Sequence, residues 1–271
     1  MADMDYFLGL SNRIADAVQD RIKDIVGTLR AGDTLYMGAD GTPTKAIDDI
    51  AERVILEMLS GEGISLRVLS EECGERIIGS SPQYTIIVDP IDGTYNACFG
   101  IPFYSISLAY KHALEEEVCF GYVKNLATGD TFHAQRGKGA FLNSGMIEIS
   151  NKPDISKSCI SIYGYRPHIK ETTMLCRKVR RVRILGSVAL ELCYVASGKF
   201  DAFVDVRGSL RLTDVAAGKL IIEEAGGIVT DSFGAPLQLE DSIMNKVYMV
   251  ASNGHVHGDI LKLLAGSLHE G

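Results

Sequence analysis

Two carboxylates three residues apart mark the part of this sequence best suited to chemistry. In residues 84–99 (YTIIVDPIDGTYNACF), an apolar run ends at Asp89, and Asp92 precedes Gly93 and Thr94, where a helix can begin. The carboxylates of Asp89 and Asp92 can converge on one point. The backbone N–H groups after Asp92 stay free to face an anion, because the first turn of a helix leaves its donors unpaired. The same residues also fit an ordinary helix cap at Asp92 and a strand-ending turn at Asp89.

Further acidic residues lie at the ends of other predicted elements. Glu71 and Glu72 directly follow the predicted strand LRVLS. Asp214 stands at the start of a predicted helix, for which Thr213 is the expected cap. Asp48 lies early in the second predicted helix, beside its apolar stripe. The sequence therefore offers several carboxylates that the fold can bring to one place.

A cluster of Glu71, Asp89, Asp92 and Asp214 would require cations. Each close pair of these charges costs about 4 kcal/mol at an effective dielectric constant near 20. Oxygen ligands without His or Cys favour Mg²⁺, Mn²⁺ or Ca²⁺ over zinc. Metal ions held by carboxylates next to a helix N-terminus are suited to hydrolysing a phosphate ester.

The elements that must position these residues follow from the apolar pattern. Residues 5–29 carry a helical apolar repeat, and residues 31–41, which include Asp33 and Asp40, are expected to form a loop able to close over the site. A second helix is expected to start with Thr42 as N-cap and Pro43 as first helical position. Short strands follow, with Pro90 ending one of them, and the glycines of RGKGAFLN predict a tight hairpin. Beyond about residue 145, strands and helices alternate, which indicates layered α/β packing.

The composition limits the possible partners. The 271 residues are 46% hydrophobic and 23% charged, as in soluble globular proteins, and 27 basic against 35 acidic residues give a formal charge of −8. This charge disfavours nucleic acid and anionic membranes. No apolar run approaches the roughly 20 residues of a membrane span, and the N-terminal residues lack the pattern of a signal peptide. We therefore expect a cytoplasmic protein that binds neither nucleic acid nor membrane, with its six cysteines reduced and mostly buried.

Four stretches of the chain resemble the inositol monophosphatase family. They are SEE at 70–72, DPIDGTYN at 89–96, GSVALELCYVASGKFDAFVD at 186–205 and LTDVAAGKLIIEEAGG at 212–227. The sequence is most similar to the archaeal type, which acts on both inositol 1-phosphate and fructose 1,6-bisphosphate. The resemblance implies an α/β (α+β) fold, a five-layer α/β/α/β/α sandwich of the sugar phosphatase type. It also implies an N-terminal α+β domain (residues 1–140), a C-terminal α/β domain (residues 141–271) that contributes Asp214, and a homodimer.

The resemblance also implies a ligand set for two or three Mg²⁺ ions, with Mn²⁺ as an alternative. Glu71, Asp89 and the backbone carbonyl of Ile91 would hold one ion. Asp89, Asp92 and Asp214 would hold the second.

The resemblance to this family also implies roles for the remaining site residues. Asp92 and the N–H groups of Gly93 and Thr94 would bind the substrate, and Glu71, or the Thr94 hydroxyl paired with Asp48, would take the proton of the attacking water. The resemblance thus implies a Mg²⁺-dependent phosphatase that uses water directly.

Substrate contacts are predicted on weaker signals. Arg183 precedes GSVALE, and Arg207 and Arg211 lie in VRGSLRLTD on the way to Asp214. A guanidinium group near the metal site would bind sugar hydroxyls or a second phosphate, or would instead neutralise acids such as Asp201 and Asp205.

Other functions stay open. A phosphatase acting on 3′-phosphoadenosine 5′-phosphate would need a flat purine slot, which a chain without Trp and with 7% aromatic residues disfavours. A non-catalytic interaction protein would be expected to have lost a ligand. A haloacid dehalogenase-type phosphatase is disfavoured because its two Asp residues lie two apart, whereas Asp89 and Asp92 lie three apart.

Overall fold

The computed structural model describes residues 4–267, which fold into five layers. The helices in this part of the chain are α1 Met4–Ile22, α2 Ala46–Gly61, α3 Thr94–Cys98, α4 Ile169–Lys178, α5 Val188–Ala196, α6 Leu212–Glu224 and α7 His257–Ser267. The strands are β1 Thr34–Met37, β2 Pro43–Lys45, β3 Leu66–Ser70, β4 Gly74–Ile78, β5 Tyr84–Asp92, β6 Ser105–His112, β7 Val118–Asn125, β8 Thr131–Gln135, β9 Gly139–Leu142, β10 Gly145–Ile147, β11 Cys159–Tyr163, β12 Arg181–Arg183, β13 Ala202–Arg211, β14 Ile228–Thr230 and β15 Lys246–Ser252.

Two sheets and three helical layers stack on one another. The first sheet has the strand order β10-β9-β8-β7-β6-β5-β3-β4, and the second has the order β12-β11-β13-β15-β14. Helices α1 and α2 cover the outer face of the first sheet, and α4 and α7 pack together beside the second. Helices α5 and α6 lie between the sheets in the largest apolar cluster. The predicted α/β/α/β/α sandwich is confirmed.

Helix α6 is the central element of the middle layer. It packs against strands of both sheets, so its side chains are buried on nearly every side. A Cβ added to Gly121 in β7 would lie 2.9 Å from the carbonyl oxygen of Ala217, so the absence of a side chain allows this close approach. The second turn of α6 therefore packs closely against the first sheet.

The start of the chain differs from its predicted elements. The first helix was predicted within residues 5–29, but α1 ends at Ile22, and Gly27 has a φ of 73°. The predicted loop at 31–41 contains β1, which pairs with β2 in a small hairpin. Pro43 therefore belongs to a strand, and α2 begins at Ala46 with Lys45 as its N-cap. The expected cap at Thr42 was wrong, because hairpin pairing continues past Pro43.

Strand β5 passes through Pro90 without ending there. It lies between β3, to which it is parallel, and β6, to which it is antiparallel, and its pairing with β6 shifts register between Asp89 and Asp92. Pro90 cannot donate a ladder hydrogen bond, so a bulge is where a central strand tolerates it. The expectation that Pro90 breaks the strand was wrong, and the bulge is what separates the two carboxylates.

The start of α6 also differs from its predicted cap. The helix begins at Leu212 with Arg211 as N-cap, so Thr213 lies inside the first turn. The Asp214 side chain accepts a hydrogen bond from the backbone N–H of Arg211 at 2.8 Å. The carboxylate is therefore folded back over the N-terminus of its own helix.

The predicted hairpin of RGKGAFLN is confirmed: β8 pairs with β9, and the turn between them contains Gly137. The predicted domain boundary at residue 140 falls inside β9, and the two-domain division stays a prediction. Within residues 4–267, no helix is long and apolar enough to cross a membrane. The six cysteines carry no disulfide; only Cys193 is buried and Cys176 is exposed, so the expectation that most are buried was wrong.

Candidate active site

Three carboxylates meet at the carboxyl ends of β3 and β5 and the start of α6. Ser70 pairs with Val88 in the parallel ladder, so the residues that follow them, Glu71 and Asp89, lie side by side at the end of this ladder. One oxygen each from Glu71, Asp89 and Asp214 lies within 4.8 Å of the others. Three of the four carboxylates predicted to meet therefore converge here, and the fourth, Asp92, lies outside this group.

The cluster is short of positive charge. Glu71 and Asp89 are buried, and Oδ1 of Asp89 accepts no hydrogen bond from any described residue. Burial raises the pKa of Asp89 well above its usual range, and the charges of Glu71, Asp92 and Asp214 raise it further. Burial also raises the pKa of Glu71 and of Asp214. A set of oxygen donors with an unpaired buried carboxylate oxygen fits a hard divalent cation.

Arg211 partly compensates this charge. Its Nη1 donates to Oε2 of Glu71 at 2.7 Å, and its Nη2 lies 2.6 Å from Oδ2 of Asp40. Asp40 lies in the turn between β1 and β2, where its backbone N–H donates to the carbonyl of Glu71 at 3.1 Å. The loop predicted to cover the site is thus held against Glu71 by both backbone and side-chain contacts.

Asp92 lies apart from the three-carboxylate group and is bound by α5. Its Oδ2 accepts hydrogen bonds from the Ser187 hydroxyl at 2.5 Å and from the backbone N–H of Ala189 at 2.7 Å, and its Oδ1 accepts from the N–H of Val188 at 3.1 Å. Burial raises the pKa of Asp92 to about 7, although these hydrogen bonds act to lower it. Asp92 therefore caps the N-terminus of a helix nearly a hundred residues downstream, rather than that of α3.

Asp48 and Thr94 form the predicted pair. The Thr94 hydroxyl lies 3.0 Å from Oδ1 of Asp48 and also 3.0 Å from the carbonyl oxygen of Ile91. Asp48 accepts from the backbone N–H of Lys45 at the start of α2, and burial, followed by the charge of Glu72, raises its pKa to about 7. This carboxyl group is poised to exchange a proton near neutral pH.

Gly93 is the N-cap of α3, and its conformation excludes a side chain. Its φ is 92°, and a Cβ there would lie 3.0 Å from the carbonyl oxygen of Gly186 and 3.1 Å from that of Phe103. The first N–H groups of α3 consequently emerge beside Asp92 and Thr94, where the sequence predicts that they hold a phosphate.

Comparison with known proteins places this arrangement in a family. The model of the inositol monophosphatase family matches residues 4–269. The chain belongs to the inositol monophosphatase family. It is an enzyme, a phosphatase, and the family assignment from the sequence motifs is confirmed.

Relatives of this family member carry two kinds of name. The fructose-1,6-bisphosphatase/inositol-1-monophosphatase of Methanothermobacter thermautotrophicus is 41% identical over 97% of this chain and 98% of its own length. The bifunctional NADP phosphatase/NAD kinase of Methanococcus maripaludis is 40% identical over 92% of this chain but only 48% of its own length. A Pyrococcus horikoshii structure, described as a hypothetical protein with similarities to inositol-1 monophosphatase, superposes with a TM-score of 0.85 at 32% identity, over 98% of this chain and 99% of that one.

The arginines predicted to contact substrate have different positions in this family member. Arg207 contacts Asp205 through Nε and Nη2, and its guanidinium lies 4.5 Å from the ring centre of Tyr163 and 5.1 Å from that of Tyr165. The charges of Asp205 and Arg207 both affect the pKa of Asp214, so this pair borders the acidic cluster. Arg183 lies on the exposed strand β12 and donates to the neighbouring carbonyl of Val182. Arg207 is therefore better placed than Arg183 to contact a substrate bound at the acidic cluster.

Sequence reasoning missed three contributors to the site. The bond from Ser187 to Asp92 joins distant segments, although Ser187 lies at the start of a correctly predicted helix. The bridge from Arg211 to Asp40 had no local signal, because it depends on the hairpin of β1 and β2. In the sequence, Glu191 is simply one polar residue in an apolar helix. In the structure it is fully buried, and its carboxylate accepts hydrogen bonds from four donors.

Proposed function

We propose that this protein is a Mg²⁺-dependent phosphatase of sugar and polyol phosphate monoesters, with inositol 1-phosphate and fructose 1,6-bisphosphate as substrates. The observation that carries the proposal is the buried group of Glu71, Asp89 and Asp214, with one oxygen of Asp89 left unpaired. The names of the relatives in Methanothermobacter, Thermococcus and Archaeoglobus support the choice of substrates.

The oxygen donors of this group suit Mg²⁺ or Mn²⁺, and we propose two ions here, with a third as a further prediction. Glu71, Asp89 and the Ile91 carbonyl would hold one ion, and Asp89, Asp92 and Asp214 the other. When bound, such ions lower the pKa of a coordinated water and stabilise the charge on a leaving alkoxide. We also propose that a metal ion competes with the Arg211 guanidinium for the Glu71 carboxylate, to which Arg211 donates a hydrogen bond.

The protein's own groups would orient the water and receive its proton. The Thr94 hydroxyl donates to Asp48 or to the Ile91 carbonyl, which leaves its oxygen lone pairs to accept a bond from water. Asp48 has a pKa of about 7, which suits a group that takes up a proton at neutral pH, and Glu71 is the alternative base. The N–H groups of Gly93 and Thr94 would hold the phosphate, and Arg207 would contact the substrate's hydroxyls or second phosphate.

The decisive experiment is phosphate release from inositol 1-phosphate and fructose 1,6-bisphosphate, with and without Mg²⁺, by the wild-type protein and Asp89→Asn. Release that requires Mg²⁺ and disappears in the variant is expected. Equal release by the variant, or none from either substrate while metal is bound, would overturn the proposal.

A second candidate is a nucleotide that carries its phosphate on the ribose. The relatives named NADP phosphatase/NAD kinase in Methanococcus maripaludis and Methanocaldococcus jannaschii favour it. The half-exposed ring of Tyr165 beside Arg207 supports it further, because a purine can stack on such a surface. NADP and 3′-phosphoadenosine 5′-phosphate belong in the same assay, where a higher kcat/KM than for inositol 1-phosphate would favour this candidate.

We also propose that the protein forms a homodimer in the cytoplasm. The rings of Tyr95 and Phe99 are 69% and 66% exposed, with their centroids 4.5 Å apart. An exposed apolar face of this kind is typical of an interface. Light scattering should give the dimer mass for the wild-type protein and for Leu114→Glu, an exposed control, and the monomer mass for Phe99→Glu. A dimeric Phe99→Glu would exclude this face.

A further inference from the structure

The orientation of Asp92 depends on where α5 begins. Three donors from the first residues of this helix, the Ser187 hydroxyl and the N–H groups of Val188 and Ala189, bind the Asp92 carboxylate. Asp92 is 7% exposed, so water has little access to take over these bonds. A shift in the first turn of α5 would therefore move this carboxylate.

Glu191, one turn into α5, holds that first turn in place. Its Oε1 accepts from the backbone N–H groups of Leu185 at 2.7 Å and Gly186 at 2.9 Å, and from the Tyr163 hydroxyl at 2.7 Å. Its Oε2 accepts from the Ser161 hydroxyl. The carboxylate thus ties the segment leading into α5 to strand β11, while its own side chain has no solvent exposure.

The same segment is held from its other side by α3. The Asn96 side-chain amide donates to the carbonyls of Leu185 and Phe103, each at 2.7 Å. Gly186 adopts a φ of 91°, and its carbonyl oxygen lies against Gly93. The backbone at 185–187 is therefore hydrogen-bonded on two sides. Asn96 binds it on the side of α3, and Glu191 binds it on the side of α5.

We propose that Glu191 is a positioning residue for metal binding, which acts through α5 on the carboxylate of Asp92. The inference rests on the proposed function, because it takes Asp92 as a metal ligand. Glu191 itself touches neither metal nor substrate. Groups that orient a ligand in this way change metal affinity by about 10–100-fold when they are removed.

A matched pair of variants distinguishes the effect of side-chain length at position 191 from the effect of its charge. Glu191→Gln keeps the length of the side chain: its carbonyl oxygen can accept the same three bonds as Oε1, and its amide can donate to the Ser161 hydroxyl. Glu191→Asp keeps the charge but is one methylene too short to reach Leu185 and Gly186 while remaining bonded to β11. Both changes are small, and circular dichroism would establish that each variant folds.

The measurement is the dissociation constant of Mn²⁺, titrated into metal-free protein and followed by electron paramagnetic resonance, together with the melting temperature Tm. We expect Glu191→Asp to weaken the ion that uses Asp92 by about tenfold or more, and Glu191→Gln to leave it unchanged. In an Asp92→Asn background, Glu191→Asp should have no further effect, because the ligand through which it acts is gone.

Three outcomes would overturn the inference. In the first, Glu191→Gln weakens binding more than Glu191→Asp, which indicates an effect of charge alone. In the second, both variants lower Tm and leave Mn²⁺ affinity unchanged, which indicates a structural role. In the third, Glu191→Asp retains its full effect in the Asp92→Asn background. A wild-type protein that binds no Mn²⁺ would instead refute the proposed function.

Discussion

Two buried carboxylates, Asp89 and Asp201, differ in the hydrogen-bond donors and charges that surround them. Asp201 is fully buried and accepts bonds from the Ser150 hydroxyl at 2.5 Å and the backbone N–H of Cys159 at 2.8 Å, with the Lys152 ammonium 3.3 Å away. Asp89 is 2% exposed, has one oxygen without a donor, and is surrounded by further carboxylates. The Asp201 carboxylate is thus satisfied by its own donors, whereas one oxygen of Asp89 has none among the described residues, as expected of an atom that a cation would bind.

The largest expected effects come from neutralising each of these two residues. Asp89→Asn should lower Mg²⁺-dependent phosphatase activity by at least about a thousandfold, since the variant would lose the ligand proposed to be shared by both ions. The Tm of the metal-free variant should stay level or rise, because a repelling charge is removed. Asp201→Asn should cost about 1–3 kcal/mol of stability, or roughly 2–10 °C in Tm, and leave kcat unchanged.

Activity assays and thermal unfolding in EDTA would check both halves of this prediction. An Asp89→Asn protein that melts well below the wild type without metal would show that Asp89 stabilises the fold in its own right. The contrast with Asp201 would then disappear.

The neighbouring residues Asp48 and Asp49 extend the comparison to a single helix turn. Asp48 is bonded to Thr94, whereas Asp49 accepts from the Tyr36 hydroxyl at 2.8 Å and pairs with Arg53. Asp48→Asn should lower kcat by about 10²–10⁴-fold, the usual worth of a general base, with little change in Mg²⁺ affinity. Asp49→Asn is the matched control and should keep its kcat. Steady-state kinetics at saturating Mg²⁺ distinguish them, and equal losses in both variants would contradict the role of Asp48.

The metal-free site should make the protein more stable in mild acid. Burial raises the pKa of Asp48 and of Asp92 to about 7 in the folded protein, above their ordinary value of 3.8 in an unfolded chain. The folded state therefore binds protons more tightly between these values, so the free energy of unfolding rises as the pH falls from 8 towards 4. We expect Tm in EDTA to be several degrees higher at pH 5.5 than at pH 8.

Added Mg²⁺ should reverse this dependence, because it binds the ionised carboxylates and stabilises the folded protein most at pH 8. Thermal unfolding across this pH range, repeated with Asp48→Asn/Asp92→Asn, would check the assignment. A profile that keeps its slope in the double variant would place the responsible groups elsewhere.

The smallest expected effect concerns Arg211, the internal cation of the site. Arg211→Gln should lower the Tm of the metal-free protein and tighten Mg²⁺ binding by roughly three- to tenfold, because about 1 kcal/mol of competing ion pairing is removed. Arg67→Gln, which breaks pairs with Glu75 and Asp241, is a control that should leave Mg²⁺ affinity unchanged. Isothermal titration would decide, and weaker binding in Arg211→Gln would mean that Arg211 organises the site instead of competing with metal.

The sequence predicts best what depends on one continuous stretch of chain. The strand from Leu66 to Ser70, the hairpin of β8 and β9, and the helix after Ser187 follow from apolar pattern and glycine spacing. Glu71 and Asp89 could be placed together because each follows an apolar strand segment in the sequence, and the residues of the DPIDGT motif carry the family resemblance with little ambiguity.

Features that depend on contacts between distant segments could not be predicted in this way. Pro90 is a strand breaker in isolation, but pairing with β6 resumes at Asp92 after a bulge, so β5 continues through it. Asp92 reads as a local cap, yet its donors come from α5. Arg211 reads as a substrate contact, and only the position of Asp40 reveals it as a bridge within the protein.

The place of α6 in the middle layer has a consequence during synthesis. The first sheet turns apolar side chains such as Leu69, Ile87 and Val123 towards the middle layer, and α6 lies late in the chain. A nascent chain on the ribosome therefore exposes this face until α6 has emerged. Because the same helix delivers Asp214, the event that covers the sheet also completes the acidic cluster, and the growing chain cannot bring its three carboxylates together before its largest apolar surface is protected.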